Sequence, residues 1–351
     1  MIRNILGFIF GLIVSLLIAE LFVNKAGIQT PSTTDFDEVI GRTRKSNVEF
    51  TMFNEGFSMG RINQYGYLGP DYSPEKKAGT LRIALLGDSY VESFQLYRRD
   101  QFHSIIEAKL SQNLGMPVEV LNFGRSGFDL ADMYAYQQTF VKRFHPDLVV
   151  YFLSEADLVC TQTDPLVPKA IVSNGKIEIT NALMPADYLN SFVKTKILFQ
   201  NSSILQMLNN SRKLIKEGQL FPKLFDKFYI QKSKEANHAK TNLKVPEVAI
   251  KIAENFSSKV VVCNRGTEQL SQGFLYILES NQTPYLDLND TLSIYTNSGG
   301  GDPFYWPVTK KQGHWNYQAH QVVGNYLSNH LELIVRENRD KKPIEVEPLL
   351  P

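Results

Sequence analysis

Short apolar runs bounded by turn formers alternate with stretches of helical periodicity along most of this chain. Leu81 to Leu86, Val118 to Leu121, Leu148 to Leu153, Val260 to Val262 and Tyr285 to Leu288 are hydrophobic segments of strand length, the pattern of strands covered on both faces. Between them Phe102, Ile105, Ile106 and Leu110 form one apolar stripe. Met133 to Phe144 and Leu270 to Leu278 predict further helices, and Gln318 to Val335 a closing one. This alternation predicts an α/β fold with a mostly parallel five-stranded sheet. Right-handed crossovers then put helices on both faces, a three-layer α/β/α sandwich.

Outside that frame the pattern changes. Ile5 to Val23 is apolar apart from Ser15 and Glu20, just long enough to span a bilayer at 1.5 Å per residue. Arg3 precedes it, which predicts a cytoplasmic N-terminus and an extracytoplasmic main domain, in the periplasm or at the cell surface. A cleaved signal peptide is the competing reading; the run is long for one, and Asn24-Lys25-Ala26 is a poor cleavage site. We therefore expect an N-terminal transmembrane anchor over 1–25 and a linker without core elements over 26–47. The main domain follows over 48–340, with a tail over 341–351. Phe50 to Tyr72 reads as short strands with turns. Between about 161 and 259 the alternation breaks down into an inserted region. Ala170 to Ile179 is a hairpin signature turning at Asn174-Gly175, and Tyr188 to Glu217 and Phe221 to Phe228 read as helices with a basic, polar side. The expected place for this insertion is over the strand ends, as a cap.

Composition narrows the function. The 351 residues are 43% hydrophobic, and 37 basic against 36 acidic residues leave a formal charge of +1. No nucleic-acid partner is expected from that balance. Cys160 and Cys263 form no disulfide framework or metal motif. The six histidines are scattered, and there is no Gly-Lys-Ser/Thr phosphate loop, so neither metal nor cofactor is expected.

The candidate chemistry sits at strand ends. Gly87-Asp88-Ser89 closes the first core strand, where a glycine turn can present a serine to the N–H groups of a following helical turn; a serine there also serves as a plain N-cap. Asn122-Phe123-Gly124-Arg125-Ser126-Gly127-Phe128-Asp129 follows the second strand, Ser154-Glu155-Ala156-Asp157 the third, and Gly313-His314-Trp315-Asn316 precedes the closing helix. In order and setting these blocks resemble the SGNH (GDSL-type) hydrolase and acyltransferase superfamily over roughly residues 48–335, the insertion excepted.

That resemblance implies a flavodoxin-like sheet, Ser89 as nucleophile and His314 as general base. It also implies an oxyanion hole from the N–H groups of Ser89 and Gly127, with Gly124 as the other candidate. Two family features are missing. Where relatives have an Asn that donates to the oxyanion, this chain has Ala156; removing one such donor typically costs about 10²–10³ in kcat. Ser154, a protonated Glu155 or a residue of the insertion could take its place. Relatives also carry an Asp just before the histidine, where this chain has Lys311 and Gln312. The third member is then Asp302, in the Gly299-Gly300-Gly301-Asp302 loop, or Glu155, or a backbone carbonyl; Asp302 is favoured. Asp88, Asn122, Arg125, Glu155, Asp157 and Trp315 are the flanking candidates for substrate binding. His320 is expected to be structural.

The resulting expectation is a membrane-tethered serine esterase or O-acyltransferase acting on acyl groups of a cell-envelope carbohydrate. Its alternative is an inactive SGNH-fold binding or assembly component of an envelope polysaccharide or secretion system, with protein partners there.

Overall fold

The computed structural model describes residues 2–26, 28–29, 33–37, 39–52, 55–160, 167–180, 201–216 and 245–340. The chain opens with helix α1 (Ile2–Lys25), about 36 Å long at 1.5 Å per residue. Its mean hydropathy over the most apolar window is 2.6 and none of that window is buried. Two hairpins follow, β1 (Thr34–Asp37) with β2 (Gly41–Arg44) and β3 (Glu49–Met52) with β4 (Ser58–Arg61). The first lies where no core element was expected, and it stands apart from the central sheet.

The central sheet is built from β5 (Leu81–Leu86), β6 (Val118–Asn122) and β7 (Leu148–Leu153). The strands between these and the last two form a separate hairpin, β8 (Lys169–Ser173) with β9 (Lys176–Thr180). β10 (Val260–Asn264) and β11 (Tyr285–Asp287) complete the sheet in the order β11-β10-β7-β5-β6. Every pairing in it is parallel. The first core strand thus has the second on one side and the others on its far side, which is the flavodoxin-like order; the topological switch point falls between β5 and β7.

Side chains of β5 alternate between two cores. Leu81, Ile83 and Leu85 pack with α3 (Phe102–Leu114), α8 (Leu288–Tyr295) and α9 (Tyr317–Asp340), while Ala84 and Leu86 pack with α4 (Leu130–Thr139), α6 (Glu247–Glu254) and α7 (Gln272–Ser280). All six β5 residues are buried, which is why this run carries no polar alternation. The helix numbering leaves α2 for Ser89–Glu92 and α5 for Ser203–Lys216.

The β8–β9 hairpin turns at Asn174 (φ +50°) and Gly175 (φ +73°), as a type I′ turn requires, and packs against α4 and α6. Of the helices expected in the insertion, α5 is described; 188–200, 217 and 221–228 lie outside the described residues, as does the tail over 341–351. A short hairpin of β12 (Tyr305–Trp306) and β13 (Lys311–Gln312) precedes α9.

Gly124 shows how tightly the strand ends are joined. A Cβ there would lie 2.3 Å from the Glu92 backbone nitrogen and 2.8 Å from Val91 Cβ, and backbone cannot swing aside as a side-chain tip can. Gly124→Ala is expected to lower stability by about 1–3 kcal/mol. Urea unfolding checks this: the midpoint falls with an unchanged slope, whereas an unchanged midpoint would mean that the β6 loop does not press on α2.

Candidate active site

Ser89 begins α2, directly beyond the buried end of β5. Gly87 is essential to that turn, because a Cβ on it would meet Val91 Cγ2 at 2.3 Å. Asp88 caps α2 by accepting the Tyr90 N–H at 3.0 Å. Ser89 is half-buried, and its Oγ lies 2.7 Å from His314 Nε2. The two residues are 225 positions apart in sequence.

The other ring nitrogen answers the question that the sequence left open. His314 Nδ1 is 2.8 Å from Glu55 Oε1 and 3.0 Å from Oε2, and the His314 backbone N–H donates to Oε2 at 3.0 Å. With Glu55 ionised, Nδ1 carries the proton and donates it, leaving Nε2 to accept the Ser89 hydroxyl. Asp302 is not the third member. It is exposed, and its carboxylate accepts the Phe304 N–H at 2.8 Å and the Gln312 side-chain amide at 2.7 Å, shaping the loop before β13 instead. Glu155 is committed elsewhere too, accepting the Ser271 N–H at 2.7 Å. Lys311 is exposed.

Glycines make the Glu55 contact possible. A Cβ at Gly313 would stand 2.4 Å from Glu55 Cδ, and one at Gly56 would stand 2.4 Å from the Trp306 ring. Trp306 in turn donates its indole N–H to the His314 carbonyl at 2.9 Å. Burial alone raises the Glu55 pKa, but the hydrogen bonds and charge of His314, with help from Gln95, outweigh it and hold the carboxyl below its ordinary 4.5.

The other histidines of the core are different. Burial pushes both His103 and His320 down to about 3, so they stay neutral. His320 accepts the Phe102 N–H at 3.1 Å and is structural, as expected.

Ser89 and Gly127 were the expected oxyanion donors. Among the described residues neither N–H donates to a protein acceptor. Gly127 is exposed at φ +82°, and its loop is held against α2 by Arg125 N–H to Gly87 O at 2.9 Å and Ser126 N–H to Glu92 Oε2 at 3.2 Å. Gly124 belongs to packing. Ser154 does not fill the place of the missing Asn: its hydroxyl donates to Asp157 Oδ2 at 2.8 Å, closing a capping box. Ala156, at the Asn position, is exposed.

Several flanking candidates are scaffold, and their side chains have no room for substrate. Asn122 is buried, donating to Val91 O at 2.8 Å and accepting the Gly124 N–H at 2.9 Å. Arg125 is buried against Gly66 O at 2.8 Å and over the Tyr67 ring. Trp315 is fully buried beneath Tyr90, at 5.2 Å between rings.

Asp88 and Asp157 form a clamp that the sequence did not reveal. Arg265, just past β10, reaches both with Nη2, at 2.6 Å to Asp88 and 2.9 Å to Asp157. Burial raises the pKa of both carboxyls, against the pull of that guanidinium. Arg265 also lies 4.7 Å over the Tyr90 ring, whose own centroid is 4.7 Å from His314. Its position at the carboxyl edge of the sheet was the available signal. Glu92, buried in α2, pairs with Arg44 at 2.6 Å. Burial raises its pKa, but Arg44, Arg125 and Ser126 prevail and lower it. A cavity of about 160 Å³ opens on this side, lined by Thr34, Arg42, Thr43, Arg44, Glu92 and Ser126 among others. Among the described residues no group of His, Cys, Asp and Glu side chains is gathered to hold a metal ion.

No family model and no curated protein matches the sequence. Among solved structures, the chain is similar to the acetyl xylan esterase AlAXEase, at 14% identity and TM-score 0.35 over 72% of this chain and 100% of that one. A lipase/acylhydrolase from Enterococcus faecalis shares 13% identity at TM-score 0.37, over 72% and 95%. A two-domain esterase, CEX, described as active on acetylated mannans and co-crystallized with mannopentaose, shares 14% at 0.37, over 78% of this chain. This chain spans 54% of that protein's length. The architecture is the one that the SGNH resemblance implies. The chemistry is carried by the side-chain geometry, which is independent of these likenesses.

A serine, an imidazole and a carboxylate hydrogen-bonded in series can deliver an activated alkoxide. Glu55→Gln is expected to lower kcat/KM on an activated ester by about 10²–10⁴, while Asp302→Asn stays near wild type; the reverse ranking would reinstate Asp302. The same pair carries a pH signature. The folded Glu55 pKa is depressed, so its stabilisation is present above the unfolded value and lost as pH falls through the folded one. The stability gap between wild type and Glu55→Gln, measured by urea unfolding, is therefore full at neutral pH and closes in acid, below pH 4.5.

Proposed function

We propose that this protein is a serine ester hydrolase of SGNH type, held at a membrane by α1 with its N-terminus cytoplasmic and its main domain outside. The observation that carries this reading is the 2.7 Å contact between Ser89 Oγ and His314 Nε2, backed by Glu55 on the far ring nitrogen. Ser89 Oγ attacks the ester carbonyl as its proton passes to Nε2. The tetrahedral oxyanion is met by the N–H groups of Ser89 and Gly127, and the imidazolium is stabilised by Glu55. His314 then returns the proton to the departing alkoxide, leaving an acyl-Ser89 ester. A water, deprotonated by the same imidazole, releases the carboxylic acid and restores the hydroxyl.

The substrate in this reading is an acyl ester on a cell-envelope carbohydrate. Its support is an anchor that would hold the domain at the membrane face.

The exposed Ala156 favours one rival, a non-catalytic binding component. A fluorophosphonate probe separates the two, because it forms a Ser–P bond and expels fluoride only at an activated serine. Labelling of the full chain, lost in Ser89→Ala and reduced in His314→Gln, is expected, with a fall in kcat/KM on p-nitrophenyl acetate of at least about 10³-fold for Ser89→Ala. Wild-type protein that never labels, or a Ser89→Ala variant that still does, overturns the proposal. Acetate release from O-acetylated envelope polysaccharide, absent with Ser89→Ala, checks the substrate class.

A further inference from the structure

The apolar run of α1 contains a single carboxylate, Glu20, and the fold gives it a specific use. Glu20 Oε2 accepts the Ser202 hydroxyl at 2.7 Å and the Ile204 N–H at 3.1 Å, and Oε1 accepts the Ser203 N–H at 2.5 Å. Asn24, one turn further along α1, donates to Ser203 Oγ at 3.1 Å. The last part of the anchor helix thus caps the N-terminus of α5 from outside that helix's own sequence, satisfying N–H groups that a helix start leaves open. Lys45 reaches Asn201 at 3.2 Å from beyond β2, so anchor, α5 and the entry to the main domain meet at one point.

The face that α5 then presents is informative. Ile204, Leu208 and Ile215 fall on one side of a 3.6-residue repeat, and Leu208 and Ile215 are 56% and 61% exposed. The sequence of this helix carries Arg212, Lys213 and Lys216 and no acidic residue, and Arg212 follows Leu208 by one turn, at the edge of the apolar stripe. An apolar stripe bordered by cations, without a balancing carboxylate, is the composition of a helix that lies in a bilayer interface. Here it starts where the hydrophobic part of α1 ends.

We propose that α5 lies in the interfacial zone of the bilayer beside the anchor, with Leu208 and Ile215 in the acyl boundary and its basic residues among anionic lipid headgroups. The occupant of this face is the lipid surface. Continuity with α1 argues for it: Glu20 accepts three hydrogen bonds from the start of α5, so α5 begins at the depth where Glu20 sits. Two elements then fix the main domain to the membrane, which limits its tilt where a single helix and a flexible linker would not. The proposal rests on α1 as a membrane helix and is independent of the esterase reading.

The test uses the full chain carrying Cys160→Ala, with Cys263 left inaccessible in the core, reconstituted in phosphatidylcholine–phosphatidylglycerol bilayers. Single cysteines replace Phe10, Leu208, Asn209 or Ile215, each bearing an environment-sensitive fluorophore. The Phe10→Cys label is expected to be quenched by lipids with a deep nitroxide; if it is not, the anchor reading itself fails. Given that quenching, the labels at 208 and 215 are expected to show blue-shifted emission, quenching by headgroup-proximal nitroxide lipid and loss of iodide quenching, while the label at 209 is quenched by iodide. Charge reversal at Arg212 is expected to shift the 208 and 215 labels toward iodide access. Iodide quenching at 208 and 215 equal to that at 209 overturns the proposal. Shielding from both quenchers also overturns it, since protein would then cover the face.

Discussion

The carboxylate of Glu55 approaches His314 from a loop between β3 and β4, outside the parallel sheet, and the rest of the active-site geometry depends on that approach. It fixes the ring through Nδ1 and the backbone through the His314 N–H, so one side chain sets both the tautomer and the position of the histidine. The surroundings are cut to fit. Gly313 leaves room for the carboxylate, Gly56 leaves room for Trp306, and Trp306 returns to hold the His314 carbonyl. Thr309 adds a hydrogen bond to the Glu55 carbonyl at 2.7 Å. A second layer of polar contacts does for Ser89 what this one does for His314: Asp88, Arg265 and Asp157 brace the turn on one side, Glu92, Arg44 and Ser126 on the other. Charges this well paired keep a serine turn rigid without entering the reaction, which is the support a reacting group requires.

Much of the fold was legible in the pattern of hydrophobic residues, for a reason specific to the central strands. β5 and β7 are sandwiched between two helical layers, so every position but Arg82, which pairs with Glu119, is apolar and their ends are visible as the ends of the run. The edges were less clear because local capping decides them. Leu288 looks like strand, but Asp287 accepts the Asn289 N–H at 2.9 Å and starts α8 there. Asp129 and Asp132 form a capping box that starts α4 at Leu130, three residues before the apolar pattern suggests. The β1–β2 hairpin was invisible because short polar strands carry no period; Arg44 at its end is nonetheless drawn inward by buried Glu92.

The site divides in the same way. Ser89 and His314 were legible because each sits in a stereotyped local setting, a strand-to-helix turn and the lead into the last helix. Their acid was not, since it lies 259 positions before the histidine in a stretch with no regular pattern. Gly313 was the one residue that recorded its presence, as a gap. Ser154 and Trp315 misled for a shared reason: a polar or aromatic side chain at a strand end is as readily consumed by capping or core packing as offered to a ligand.

The origin of Glu55 also bears on how much of the chain the site draws on. Ser89 and His314 lie with the wound sheet and its closing helix, while Glu55 belongs to the lead-in between α1 and that sheet. A fragment trimmed to start at β5 would keep Ser89 and His314, yet it would lose the Glu55 carboxylate from the His314 ring, Arg44 from Glu92, and the Ile40 and Tyr67 side chains from the core.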